Sequence, residues 1–431
     1  MDTALMTDRY ELTMLSSLVE SGMATRPAVF EMFARRLPSG RRYGMLAGLG
    51  RLLDALPGFR FSHDDLMWMC GNGTLTAAGA RWLDGWSFTG DIDGYREGET
   101  YWPGSPVLTV RGRLGDAILL ETLALSIFNH DTAIASAASR MVTAALGRPI
   151  IEMGSRRVHE AAAPSVARAA YVAGFASTSN LAAGRAYGVP TVGTAAHAFT
   201  LAHARESDAF DHQLATFGAH TTLLVDTYDV EQGIRNAVDA ARRIGASGPG
   251  AIRLDSGDLL VEATRARALL DSLGAYATKV TVTSDLDEYV MTDLAGAPID
   301  GYGAGTRVAT GSGHPTAGMV YKLVAIADSD VAGAPMRPVA KKASGKVSVG
   351  GQKTVHRHDD GTEHYRTDGV VPAHTHAVQV PLVRAGRIVH TPSLDEIRTH
   401  AANAVAELPD HALAVADGTP EHTATHQEDP E

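Results

Sequence analysis

AIRLDSGDLLVEATRARALLDSLGAYATKVTVTSD, residues 251–285, reads as a strand, a helix and a second strand. Ala251–Leu254 and Val280–Thr283 are short apolar runs bounded by turn signals, and Leu259–Leu273 has helical spacing. The pattern extends in both directions. Strand candidates begin at 189, 221, 251 and 280, spacings of 32, 30 and 29 residues, each the length of one strand–helix unit. They are Val189–Ala195, Thr221–Val225, Ala251–Leu254 and Val280–Thr283, flanked by Pro149–Met153 and Ile299–Tyr302. Helices are predicted over Val158–Ala173, Thr178–Ala186, Val230–Ile244, Leu259–Leu273 and Asp285–Leu294. Repeated strand–helix units without an N-terminal dinucleotide fingerprint favour a barrel over a doubly wound sheet. The predicted fold is α/β: an irregular, TIM-like βα barrel with an additional β-rich domain built from the N- and C-terminal parts of the chain.

Outside the barrel the grammar differs. Asp8-Arg9-Tyr10-Glu11 has the form of a capping box and opens a helix that runs to Val19, with Ser21-Gly22 as its stop. Val29–Phe33 reads as a strand, and residues 60–115 hold all four tryptophans among short strand-like pieces. The expected organisation is an α+β domain over 1–125, the barrel over 126–335, a β-rich segment over 336–400 that packs with the N-terminal domain, and a disordered acidic tail over 410–431.

The chain has 431 residues, 45% apolar and 20% charged, with a net charge of 38 − 49 = −11. That balance argues against a general nucleic-acid binder. No apolar run approaches the roughly 18 residues of a membrane span, and no signal peptide is expected, since Met1-Asp2-Thr3-Ala4 lacks a basic region followed by an apolar core. With Cys70 alone, neither a disulfide framework nor a cysteine-built metal cluster can form within the chain. The expected compartment is the cytoplasm. Arginine outnumbers lysine 32 to 6, and every lysine falls between 279 and 353. Codon bias explains the excess but not the clustering.

In a βα barrel, chemistry sits at the carboxyl ends of the strands. All six ends here carry polar or glycine-rich residues: Gly154-Ser155-Arg156-Arg157, Gly193-Thr194-Ala195-Ala196-His197, Asp226, Arg253-Leu254-Asp255-Ser256-Gly257-Asp258, Thr283-Ser284-Asp285 and Gly301-Tyr302-Gly303-Ala304-Gly305-Thr306-Arg307. Individually, Asp226 and Asp285 suit helix N-caps, His197 a buried histidine, and the glycines a tight turn. Together, arginines, an N–H-rich loop and several carboxylates suit a phosphorylated, Mg2+-chelated anionic substrate.

These motifs, in this order, resemble the nicotinate phosphoribosyltransferases. The resemblance also rests on Thr7-Asp8-Arg9-Tyr10, Phe30-Glu31-Met32-Phe33-Ala34-Arg35, Ser177-Thr178-Ser179-Asn180, Val320-Tyr321-Lys322-Leu323-Val324 and the Lys342…Lys346…Gly351-Gln352-Lys353 stretch. It implies ATP-coupled joining of nicotinate to phosphoribosyl pyrophosphate, giving nicotinate mononucleotide and pyrophosphate, in NAD biosynthesis. It further implies a homodimer with the active site at the subunit interface. By that similarity His197 is the phosphorylated histidine, and Asp255 is the carboxylate beside ribose and Mg2+, with Asp226 a second metal candidate. Tyr10, Arg156, Ser179, Thr194 and Arg253 contact nicotinate. Ser284, Asp285, Gly303, Gly305, Thr306, Arg307, Thr310 and Lys322 hold the phosphoribose and pyrophosphate. Some of the late lysines, Lys322 and those of the Lys342…Lys346…Lys353 stretch, are then expected to meet mobile polyphosphates. Nicotinamide-using relatives have an aspartate where Ser179 stands, which favours nicotinate. Alternatives are a nicotinamide or quinolinate transferase of the same fold and a barrel lyase with a Schiff base on Lys279 or Lys322. His356, His358, His364, His374 and His376 are compatible with zinc but read more simply as exposed histidines in a turn-rich region.

Overall fold

The computed structural model describes residues 3–331, 333–341 and 349–427. Two compact units emerge: Met1–Ser136 with His314–Glu431, and Ala137–Gly313. The predicted boundaries at 125/126 and 335/336 move for two reasons. One helix, Glu121–Ala144, runs through the first boundary, and Met319–Ala327 is a strand of the first unit.

The first unit is organised on a seven-stranded antiparallel sheet that joins distant parts of the chain. Its strand order is Met336–Pro338, Met319–Ala327, Pro27–Ala34, Leu108–Arg113, Asp91–Gly94, Val380–Arg384 and Arg387–Ile388. Pro27–Ala34 lies centrally and is almost wholly buried, as its apolar composition dictates. Phe30 stacks on Tyr321 of the neighbouring strand at 4.9 Å. Helix Arg9–Glu20 begins where predicted, but Asp8 and Glu11 form no capping box. Glu11 turns inward and accepts instead from the Thr7 hydroxyl and from Thr122 N and Oγ1. The tryptophan-bearing stretch is not all strand: His63–Gly71 and Ala77–Leu83 are helices, opened by Ser62 and Thr76 caps.

A four-stranded sheet carries Thr375–Ala377, Thr354–His358, Glu363–Arg366 and Thr425–His426. The disordered tail expected from 410 is therefore corrected over the described residues. Asp410–Leu413 is helical, Ala424 is buried, and Thr425–His426 pairs in parallel with Glu363–Arg366. His356 is also not exposed. Its ring is fully buried, meets those of His358 and His364 at 6.0 and 5.9 Å, and shares a hydrogen bond with Gln427. Among the described residues no group of three or more His, Cys, Asp or Glu is arranged to hold a metal. Nor is any helix there long and apolar enough to cross a membrane.

The second unit is an α/β half-barrel with a six-stranded parallel sheet. Its order is Ser177–Thr178, Ile150–Glu152, Gly301–Ala304, Lys279–Thr283, Ala251–Leu254 and Thr222–Leu224. Read around the sheet, the strands follow chain order cyclically. Helices Val230–Arg243 and Leu259–Ser272 match the prediction to within one residue, and they bury small faces such as Ala237/Ala241 and Ala263/Ala266. Val189–Ala195 is not a strand; only Thr191 bridges, to Thr178. Pro190 lacks the N–H that a ladder needs, and its carbonyl accepts from Thr178 N instead. Helices His197–Leu201 and Glu206–Phe217 fall outside the predicted elements.

Candidate active site

Within the parallel sheet every strand delivers its following residues to the same end. His197 opens a one-turn helix there and remains partly exposed. Its Nδ1 lies 3.1 Å from Thr227 Oγ1, while Nε2 lies 4.0 Å from both Asp226 Oδ1 and Asp255 Oδ2. Asp226 is not a helix cap; Asp229 takes that role by accepting from Gln232 N. The Asp226 side chain is instead buried, and its Oδ2 accepts from Asp255 N and Ser256 Oγ, each at 2.8 Å. Its Oδ1 is buried without a hydrogen-bond partner. A buried carboxylate oxygen left unpaired beside a second carboxylate is an arrangement that a divalent cation would satisfy. Asp255 Oδ1 in turn accepts from the Thr283 hydroxyl.

Arg253 projects from the neighbouring strand and donates through Nη1 to the Thr194 hydroxyl. Its Nε is buried and unpartnered. Burial, and then the nearby charge of Arg156, lower its pKa, offset by Asp255 and Asp226. An Arg253 guanidinium with one nitrogen unpartnered, near enough to Arg156 to feel its charge, suits a small anionic ligand. Ser179 follows Ser177–Thr178, the neighbour of Ile150–Glu152; it is exposed, and its N–H donates to Glu152 O at 2.8 Å.

On the other side, Ser284 is exposed and has φ 151°, a conformation that side-chain-bearing residues rarely adopt. Asp285, expected as a possible N-cap, leaves that task to Asp287 and pairs with Arg307 at 3.3 Å. Gly303 is required by close approach, and Gly305 is tightly approached. A Cβ on Gly303 would stand 2.5 Å from Thr283, and one on Gly305 3.2 Å from Met153 O. Gly305 precedes the short helix Thr306–Ala309, and the Thr310 hydroxyl bonds back to Thr306 O rather than facing outward. Lys279 lies at the opposite, amino end of its strand and is exposed there, which removes it from this constellation.

Tyr10 and Lys322 belong to the first unit. Tyr10 is 43% exposed. Partial burial, then the charge of Glu121 and a hydrogen bond to it, push its hydroxyl well above the usual range. Burial also raises the Glu121 carboxyl, relieved by Tyr10 and by the charge of Lys322. Glu121 and Lys322 line a groove of about 580 Å³ with Thr13, Met14 and Phe30. Lys353 does not meet the polyphosphate expectation: it is buried and paired with Glu31 at 2.5 Å. Lys342 and Lys346 lie outside the described residues.

Sequence reading gave no individual role to Thr283 and Ser256, which it quoted at strand ends, nor to Thr227 and Glu152. The first three stand beside predicted residues, but their hydroxyl partners come from other strand ends and leave no local pattern. Glu152 sits inside a quoted strand candidate, where a lone charge among apolar neighbours is the only signal.

Comparison with known proteins places these observations. The profile of the nicotinate phosphoribosyltransferase (NAPRTase) N-terminal domain matches residues 5–129. The chain is 54% identical over 432 residues to nicotinate phosphoribosyltransferase pncB1 of Mycobacterium tuberculosis, covering 96% of this chain and 93% of the relative. It is 37% identical over 372 residues to the nicotinate phosphoribosyltransferase of Bacillus subtilis, covering 84% and 74%. Human nicotinic acid phosphoribosyltransferase superposes with a TM-score of 0.83 at 23% identity over 97% of each chain, a likeness of fold.

Proposed function

The chain belongs to the nicotinate phosphoribosyltransferase family, and from that premise we propose that it makes nicotinate mononucleotide and pyrophosphate from nicotinate and phosphoribosyl pyrophosphate, with ATP hydrolysis coupled to the transfer, in the cytoplasm and as a step of NAD biosynthesis. The observation that carries this reading is the convergence of His197, Asp226, Asp255, Arg253 and Thr194 on one end of the parallel sheet. We read that sheet as part of an irregular βα barrel and the first unit as its additional β-rich domain.

In this reading Arg253 and Arg156 clamp the nicotinate carboxylate, and the Thr194 and Ser179 hydroxyls complete the pocket. Ser179 supplies a donor where a carboxylate would repel the substrate. Tyr10 stacks on the pyridine ring in the active site of the partner subunit of a homodimer. Ser284, Gly303, Gly305 and Thr306 receive the 5′-phosphate through backbone N–H groups and hydroxyls. Asp285, Arg307, Thr310 and Lys322 are assigned to the phosphoribose and pyrophosphate; the Asp285–Arg307 pair would have to part for Arg307 to serve. The ring nitrogen of nicotinate attacks C1 of the ribose as the pyrophosphate leaves, and Asp255 stabilises the positive charge that develops on the sugar. The donor set of Asp226 Oδ1 and Asp255 fits Mg2+, which when bound would neutralise phosphate charge.

His197 takes the γ-phosphate of ATP and later releases it to water. Thr227 fixes the ring through Nδ1, and the phosphoenzyme binds phosphoribosyl pyrophosphate more tightly, so that ATP cleavage drives transfer forward. Incubation with γ-labelled ATP is expected to label the protein in an acid-labile, base-stable form, and His197→Ala to abolish the label. Product analysis with nicotinate, nicotinamide and quinolinate is expected to give turnover with nicotinate; preference for either other pyridine would reverse the substrate assignment.

A further inference from the structure

Glu152 closes the Ile150–Glu152 strand and is 1% exposed. Among the described residues its carboxylate forms no ion pair; both oxygens are instead used on backbone and hydroxyl. Oε1 accepts from Gly154 N, and Oε2 accepts from the Thr178 hydroxyl at 2.5 Å. Thr178 Oγ1 also accepts from Asn180 N at 2.9 Å, and Asn180 Nδ2 donates to Ser155 Oγ at 3.0 Å. The ring of bonds closes on itself: Glu152, Thr178, Asn180, Ser155, Gly154. Asn180 is anchored in turn, because its Oδ1 caps helix Leu181–Tyr187 at Ala183 N. The main chain adds two further ties, Ser179 N to Glu152 O at 2.8 Å and Met153 N to Ala304 O at 2.7 Å. A Cβ on Gly154 would lie 2.8 Å from Glu152 Oε1 and 3.0 Å from Gly305 O, so only glycine admits this approach.

Arg156 and Ser179 are the residues that flank this ring, one on each loop. Neither touches Glu152 with its side chain, yet the distance between their loops is set by it. We propose that Glu152 is a positioning residue that locks the Gly154–Arg157 and Ser177–Asn180 loops together and so fixes the spacing of the nicotinate pocket. The assignment rests on the nicotinate reading above. A buried carboxylate is costly to retain without a cation. Burial raises the Glu152 carboxyl, and the two donors oppose that shift. An apolar residue of similar volume would pack the strand end at lower cost but would leave Gly154 N and the Thr178 hydroxyl without acceptors. The retained charge therefore serves the geometry of the loops.

The test is steady-state kinetics on the full-length enzyme with Glu152→Gln, Thr178→Val and Thr178→Ser, together with ATP labelling of His197. Glu152→Gln is expected to raise the KM for nicotinate by roughly 10-fold or more, and Thr178→Val by about 3- to 10-fold, in proportion to a charged and a neutral hydrogen bond. Thr178→Ser, which keeps the hydroxyl, is expected to restore the wild-type KM. The KM for phosphoribosyl pyrophosphate and the extent of His197 labelling should stay near wild type. Should Glu152→Gln not fold, the Thr178 pair carries the comparison. If the wild type turns over nicotinate and the folded variants leave its KM unmoved, or move every KM together, the positioning role is overturned alone. A wild type that does not turn over nicotinate overturns the reading beneath it and the proposal with it.

Discussion

Replacing Lys353 with methionine should destabilise the first unit while leaving the handling of polyphosphates intact. Lys353 and Glu31 are almost fully buried and 2.5 Å apart. Glu31 Oε1 also accepts from Lys353 N at 2.7 Å, and the ammonium lies 5.7 Å from the Tyr365 ring. At an effective dielectric constant near 20, unit charges at that separation attract by about 7 kcal/mol. Desolvation of two ions offsets most of it, so the pair as a whole contributes little net stability. Removing one partner is different, because an uncompensated charge remains in the core, at a cost of about 3–5 kcal/mol. Lys353→Met and Glu31→Gln should each fall in that range, and the double variant should cost only about 1–2 kcal/mol, a coupling well outside additivity. Burial already pushes the Glu31 carboxyl up, and Lys353 opposes this. Without the lysine Glu31 takes a proton more readily, so the Lys353→Met deficit should be smaller at pH 5 than at pH 8. Trp68, Trp82, Trp86 and Trp102 all belong to the first unit, so tryptophan fluorescence during urea unfolding reports on that unit alone. Single variants that cost under about 1 kcal/mol, or a double variant equal to their sum, would refute the buried-pair reasoning. A marked rise in the KM for ATP or phosphoribosyl pyrophosphate in the folded single variant would return Lys353 to the substrate.

Other outcomes follow from the same geometry. Arg253→Lys keeps the charge but loses the planar fork beside Thr194, and should raise the KM for nicotinate by roughly 10- to 100-fold in initial-rate assays. Thr227→Val removes one hydrogen bond to His197 and should slow its labelling by ATP about 2- to 10-fold in quenched time courses, against complete loss in His197→Ala. Glu99 is buried, but hydrogen bonds and charge from His400 and Arg357 outweigh burial and hold its carboxyl down at about 2. A depressed folded value contributes stability above the unfolded value and loses it as pH falls. Between about pH 4.5 and 2 the first unit should therefore lose about 3 kcal/mol through this group, and Glu99→Gln should flatten that part of the fluorescence-monitored stability profile.

Much of the fold was legible because strand–helix repetition is a local property. The runs at 221, 251 and 280 match Thr222–Leu224, Ala251–Leu254 and Lys279–Thr283 closely, since each is short, apolar and bounded by turn residues. The run at 189 failed because Pro190 interrupts the ladder, a constraint that hydrophobicity does not register. The N-cap alternatives for Asp226 and Asp285 were equally plausible from sequence. They were decided by which aspartate met the helix N–H groups, and that was Asp229 and Asp287.

The lysines mark the same divide. Their confinement to 279–353 is a fact of sequence, but their roles are not alike in space. Lys279 is exposed at a strand's amino end, Lys322 acts on Glu121 beside Tyr10, and Lys353 is sealed against Glu31. Sequence by itself determined the repeating strand–helix units, the polar residues at their ends and the family they resemble, because periodicity and ordered motifs are encoded along the chain. Only tertiary structure decided which of those polar groups are free to meet a ligand. Burial and hydrogen-bond satisfaction depend on neighbours that are distant in sequence: Asp226 with Asp255 and Ser256, Glu152 with Thr178, Lys353 with Glu31.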